Sequence, residues 1–163
     1  MNLTGKRTVN LIGLAACAAM MAYALYAEHW LYLAPCPLCV FQRVAVIALG
    51  IVFLVAAVFV ARRWGRFVHA GLIGLIAATG AGIAGRHVWL QNLPADQVPA
   101  CGPGLGYIID SFPLSEALRL VFTGSGECAT ADWHFLGLSM PAWVLICLVL
   151  LGALGIWNNL RKT

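Results

Sequence analysis

Polar and apolar residues along this chain fall in long blocks, without the alternation or the three-to-four spacing of a soluble fold. Four uncharged apolar runs stand out: Thr8 to Ala27, Val44 to Ala61, Phe67 to Gly85 and roughly Phe135 to Trp157. A helix needs about 20 mainly apolar residues to cross a hydrocarbon core of roughly 30 Å, and each run comes close to that length. The pattern predicts an all-α membrane protein, a bundle of four transmembrane helices forming one domain over residues 1–163. Two loops, about 28–43 and 86–134, then face the same side.

Composition points the same way, with 62% hydrophobic residues, 10% charged residues and a mean hydropathy of +0.89, outside the range of soluble domains. Lys6 and Arg7 ahead of the first run, with Ala22, Tyr23 and Ala24 as a cleavage site, raise the alternative of a secretory signal peptide. Its apolar core would span only about 7 to 15 residues. The longer run here fits a retained helix.

Charge sets the orientation. Lys6, Arg7, Arg62, Arg63, Arg66, Arg161 and Lys162 lie on one side of a four-helix crossing pattern, and all six acidic residues on the other. The positive-inside rule makes the basic side cytoplasmic. A multi-pass protein of the bacterial inner membrane is expected, with both termini cytoplasmic and both loops periplasmic. The net charge of +4 is the sum of a basic inner rim and an acidic outer face, so it is no nucleic-acid footprint.

The long loop begins LPADQVPACGPGLG, rich in Pro and Gly and hence irregular. In DSFPLSEALRLVFTG, Asp110 or Ser111 can cap a helix with Pro113 in its first turn. Leu114, Ala117, Leu118 and Val121 then share one face. This predicts a short amphipathic helix on the outer membrane surface, the alternative being a loop segment packed on the bundle.

Of six cysteines, Cys17 and Cys147 sit inside apolar runs and read as small buried hydrophobes. Cys36, Cys39, Cys101 and Cys128 face outward, where an oxidising compartment favours disulfides. Four cysteines allow three pairings, and three uses compete with a redox role. A zinc cage needs thiolates in close pairs, but Cys101 and Cys128 are separated by 26 residues. Covalent haem attachment needs His after the second cysteine, and Val40 stands there. A membrane scaffold with two structural disulfides is the third. The small loop closed by Cys36 and Cys39 restrains an unfolded chain little. As a redox couple the spacing makes sense, because a helix N-terminus beside the motif stabilises a thiolate. Arg43 lies one helical turn after Cys39, a rim cation able to support that chemistry or, alternatively, an arginine snorkelling to the headgroups.

PCPLCVFQR followed by Arg-flanked runs, and SGECATADWHFLGLSMPAW ahead of the last helix, resemble the disulfide bond formation protein B (DsbB) family of inner-membrane thiol:quinone oxidoreductases over essentially the whole chain. The resemblance implies that Cys36 and Cys39 form the quinone-facing pair, with Arg43 supporting quinone binding. Cys101 and Cys128 then form the pair that meets a DsbA-like periplasmic thioredoxin-fold oxidase, Cys101 carrying the mixed disulfide. His87 and Gln91, in RHVWLQN, fall where the family has residues near the quinone, ubiquinone or menaquinone. The unit implied is a monomer in the lipid, with no metal and no nucleic acid. Arg86 departs from the acidic residue expected beside His87, and Cys17 and Cys147 are additions.

Energetics favour such an acceptor. DsbA has a potential of about −120 mV against a glutathione poise of about −180 to −210 mV in an oxidising compartment. Glutathione would have to drive such a partner uphill by roughly 60 mV, about 2.8 kcal/mol. A rival enzyme type resembling vitamin K epoxide reductase would carry its CxxC near the last helix, not before the second.

Overall fold

The computed structural model describes residues 3–59, 64–94, 96–98, 113, 115, 116, 126–129 and 133–161. Helix α1 runs Leu3–His29, α2 Pro37–Val58 and α3 Trp64–Gln91. A four-residue turn of helix, α4 (Gly126–Ala129), precedes two short strands, β1 (His134–Phe135) and β2 (Leu138–Ser139), and α5 (Met140–Leu160) closes the chain. The four long helices are each long and apolar enough to cross a membrane. At 1.5 Å per residue even the 21 residues of α5 reach about 31 Å. Of the amphipathic helix expected around residues 110–121, Pro113, Ser115 and Glu116 are described, the last two helical, while its other positions and Cys101 lie outside the described residues.

Helix boundaries differ from the apolar runs for local reasons. Helix α2 starts seven residues before Val44 because Cys36, in extended geometry, caps it and Pro37 occupies its first turn. The cysteine pair therefore belongs to a helix end. Helix α3 continues past Arg86 to Gln91, since a charge at the rim does not interrupt backbone hydrogen bonding. At α5, the run begins at Phe135 but the helix only at Met140, because Leu136 and Gly137 both take positive φ (53° and 80°) and turn the chain into a hairpin. In it His134 pairs with Ser139 and Phe135 with Leu138.

Helices α1, α2, α3 and α5 pack antiparallel to their chain neighbours. The interior is filled by Phe53, Leu49, Ile73, Leu148, Val46, Ala77 and Cys17. Small residues set the spacing: a Cβ on Gly152 would come within 2.7 Å of the Ala77 Cβ, and one on Gly155 within 2.8 Å of Ile73. Close approach of this kind is how helices associate where no hydrophobic effect drives them together. Apolar side chains also cover the outside, with Leu75 66% and Ile12 62% exposed. That surface suits hydrocarbon, since helices satisfy their own backbone groups.

Candidate functional site

The site forms where α2 begins. Cys36 caps the helix, and the Cys39 backbone N–H donates to its Sγ at 3.3 Å. One turn of helix then carries the Cys39 sulfur back over the cap, so that the two Sγ atoms lie 2.8 Å apart. Helix α3 lies alongside and brings His87, 3% exposed, against this pair, with Nε2 3.8 Å from Cys36 Sγ. The short helix α4 packs on α3 and delivers Cys128, fully buried, to the same place. Cys36 thus has Cys39 on one side and Cys128 on the other. Sγ of Cys36, Sγ of Cys128 and a ring nitrogen of His87 all lie within 4.8 Å of one another.

This crowding decides where a proton sits. Hydrogen bonding to Cys128, then to Cys39, and burial together push the Cys36 thiol well above the ordinary thiol range. The neutral thiol of Cys36 is accordingly favoured over its thiolate. Gln42, one helical turn beyond Cys39 and 5% exposed, approaches His87 Nδ1 with its amide nitrogen at 3.0 Å. With the amide donating there, neutral His87 carries its proton on Nε2, the nitrogen that faces the sulfurs.

Arg43 is anchored from α1. Its guanidinium pairs with the Glu28 carboxylate and donates to the Ala24 carbonyl at 3.2 Å. Five N–H groups are available on a guanidinium, so donors remain for a ligand. Cys36, Cys39, Gln42, Arg43, His87 and Gln91 line one cleft. Its other walls include Met20, Met21, Val46, Val144 and Trp133. Apolar walls with a few convergent donors are the usual make-up of a small-molecule site.

A model of the family "Disulfide bond formation protein DsbB" matches residues 6–158. The chain belongs to the DsbB family. Among its relatives, the disulfide bond formation protein B of Nitrosococcus oceani is 54% identical over 152 residues, 93% of this chain and 90% of that protein. Its counterpart from Methylococcus capsulatus is 49% identical over 164 residues, 99% of this chain and all of that protein. The one from Acinetobacter baumannii is 47% identical over 163 residues, 99% and 94% respectively. The chain is therefore a disulfide bond formation protein with helices able to span a membrane.

In this DsbB-family chain Cys36, Cys39, Cys128, Arg43, His87 and Gln91 come together at one helix end. Sequence reasoning missed Gln42, Glu28 and Trp133. Gln42 carried a signal, as a polar residue between the CxxC motif and Arg43. Glu28 carried none, because its pairing with Arg43 joins two helices 15 residues apart in sequence. Cys36, Cys128 and His87 also offer three donors that one metal ion could share. The 2.8 Å between Cys36 and Cys39 marks a sulfur pair close enough to close a disulfide.

Proposed function

We propose that this DsbB-family chain is a thiol:quinone oxidoreductase of the bacterial inner membrane, with its termini cytoplasmic and its cysteine end periplasmic. It reoxidises a DsbA-like thioredoxin-fold oxidase and passes the electrons through two cysteine pairs. The observation that carries this reading is the position of Cys36 between Cys39 and Cys128.

In the first exchange the partner dithiol gives two electrons and two protons to the Cys101–Cys128 disulfide and leaves as a disulfide. In the second, Cys128 attacks Cys36 of the Cys36–Cys39 disulfide and expels Cys39 as a thiolate. Cys101 then attacks Cys128 in the Cys36–Cys128 bond, which restores Cys101–Cys128 and leaves Cys36 and Cys39 reduced. Each step needs a thiolate and an accessible sulfur. His87 Nε2–H and the N-terminus of α2 favour negative charge on the sulfurs.

The donor set fits a quinone. Its two carbonyl oxygens accept hydrogen bonds and its ring is apolar, while Arg43 and His87 offer N–H groups in a cleft walled by Met, Val and Trp side chains. When bound, ubiquinone or menaquinone supplies the acceptor for two electrons and two protons. Arg43, His87 and Gln91 would hold it, and Arg43 would offset negative charge developing beside Cys39.

Mixing the purified chain with a reduced DsbA-like protein and a quinone analogue tests the proposal, with quinol followed by absorbance. Quinol should form in step with partner disulfide, and Cys39→Ala should abolish it. Partner oxidation that proceeds without quinol, or turnover that survives Cys39→Ala, would sink the relay.

A further inference from the structure

The end of the bundle away from the cysteines holds a charge arrangement that the redox chemistry leaves unused. Lys6 on α1 is only 5% exposed. Its ammonium has three N–H donors, and its acceptor among the described residues is the Arg161 carbonyl at 2.7 Å. The charges facing it are those of Arg161 and Arg66, both of the same sign. Arg161 stands directly over this stretch of α1, since a Cβ on Gly5 would lie 3.5 Å from its Nη2. Burying a cation is costly unless an opposite charge accompanies it.

No acidic residue is placed to do so among the described residues. Glu28, the nearest in sequence, lies about 33 Å further along α1 and pairs with Arg43. The other five fall in the segment joining α3 to α5, which leaves from and returns to the cysteine end.

Unused donors surround the same point. Asn10 is 1% exposed and its Oδ1 accepts from both Asn158 and Asn159 at 3.2 Å, which leaves its Nδ2 and the Asn158 Oδ1 buried without a partner. Arg66 Nε is likewise buried without one. Lys6, Asn10, Arg66 and Arg161 thus bring donors from α1, α3 and α5 together with no carboxylate among the described residues to receive them.

Aromatic rings give the depth. Arg161 lies over the Trp157 ring at 5.3 Å and Arg66 over Phe67 at 4.6 Å, and Trp64 and Trp157 are 84% and 60% exposed. Exposed Trp on a membrane-spanning helix marks the headgroup level. A phosphate there offers several acceptor oxygens to Lys and Arg. We propose that this end of the bundle is a binding site for the phosphate of an anionic phospholipid headgroup, held by Lys6, Arg66 and Arg161 with Asn10 behind them. Basic pockets between membrane helices are a known means of lipid recognition. Bound lipid would clamp the first and last helices through Lys6 and Arg161.

Native mass spectrometry and thermal unfolding of the full-length protein test this, in phosphatidylcholine nanodiscs with and without phosphatidylglycerol. Wild type should retain phosphatidylglycerol over phosphatidylcholine and unfold at a higher temperature when it is present. Each of Lys6→Met and Arg161→Gln should weaken the preference about fivefold, while Lys6→Arg keeps it. Folding of Lys6→Met is checked by helical circular dichroism; should it fail, Arg161→Gln against Lys6→Arg decides alone. No preference in wild type, or one that survives Arg161→Gln, overturns the site. In lipid-free detergent, inorganic phosphate at matched ionic strength should not reproduce the shift. An equal shift would reassign the site to a soluble anion and overturn the lipid reading.

Discussion

Cys36 lies against Cys39, Cys128 and His87, and these surroundings have a measurable consequence. An unperturbed thiol titrates near about 8.5, and Cys36 is held above that by its hydrogen bonds to Cys128 and Cys39 and by burial. The sign is that the neutral thiol is favoured, so the reactive thiolate appears only at higher pH. In the reduced protein, iodoacetamide labelling of Cys36 read by peptide mass should lag that of a free thiol and rise late along a pH series. Cys128→Ser should move the rise to lower pH, because the first of those hydrogen bonds is weakened. Gln42 makes a second case. Gln42→Ala leaves buried His87 Nδ1 without its partner, a loss of about 1–3 kcal/mol, which a chemical or thermal unfolding curve would report. At this scale the sequence was readable where chemistry is local. The CxxC spacing and Arg43 one turn later were plain, whereas Glu28 and the contact of Cys128 with Cys36 arise only when helices assemble.

At the scale of elements, the four apolar runs marked four helices, because length and hydropathy are properties of the run itself. Their ends were less legible. Hydropathy reports where lipid lies, while caps and turns decide where a helix starts, so α2 begins at Pro37 and α3 reaches Gln91. Both extensions matter, since they place Cys39, His87 and Gln91 on rigid helix and not in loop. Packing between helices depends on small residues at close approach. Gly152→Ala sets a Cβ 2.7 Å from that of Ala77, where a buried backbone-borne atom has little room to yield. Overpacking of this kind costs about 1–3 kcal/mol, so the unfolding temperature should fall. Gly82→Ala, with nothing within 4 Å of the added Cβ, should leave it unchanged or raise it, given the better helix propensity of Ala.

For the whole molecule, the bundle has two polar ends and an apolar waist. The cysteine end gathers sulfur, imidazole and guanidinium around one cleft, while the opposite end gathers cations. Block patterning and charge asymmetry made that division legible in the sequence, but not the register of the helices, which places His87 opposite Cys36 and Lys6 beside Arg161. Register is set by pairs such as Gly155 with Ile73 and Gly80 with Leu148, and no single run encodes a pair. The proposed relay depends on it, since in that scheme electrons reach Cys39 only if Cys128 can bond Cys36. Disulfide mapping by peptide mass spectrometry in the full-length Cys39→Ser protein, after mild oxidation, tests that step most directly. The expected product is a Cys36–Cys128 disulfide, formed because Cys36 has lost its neighbouring sulfur and retains the other. Cys36 left as a free thiol, or joined instead to Cys101, would contradict the relay.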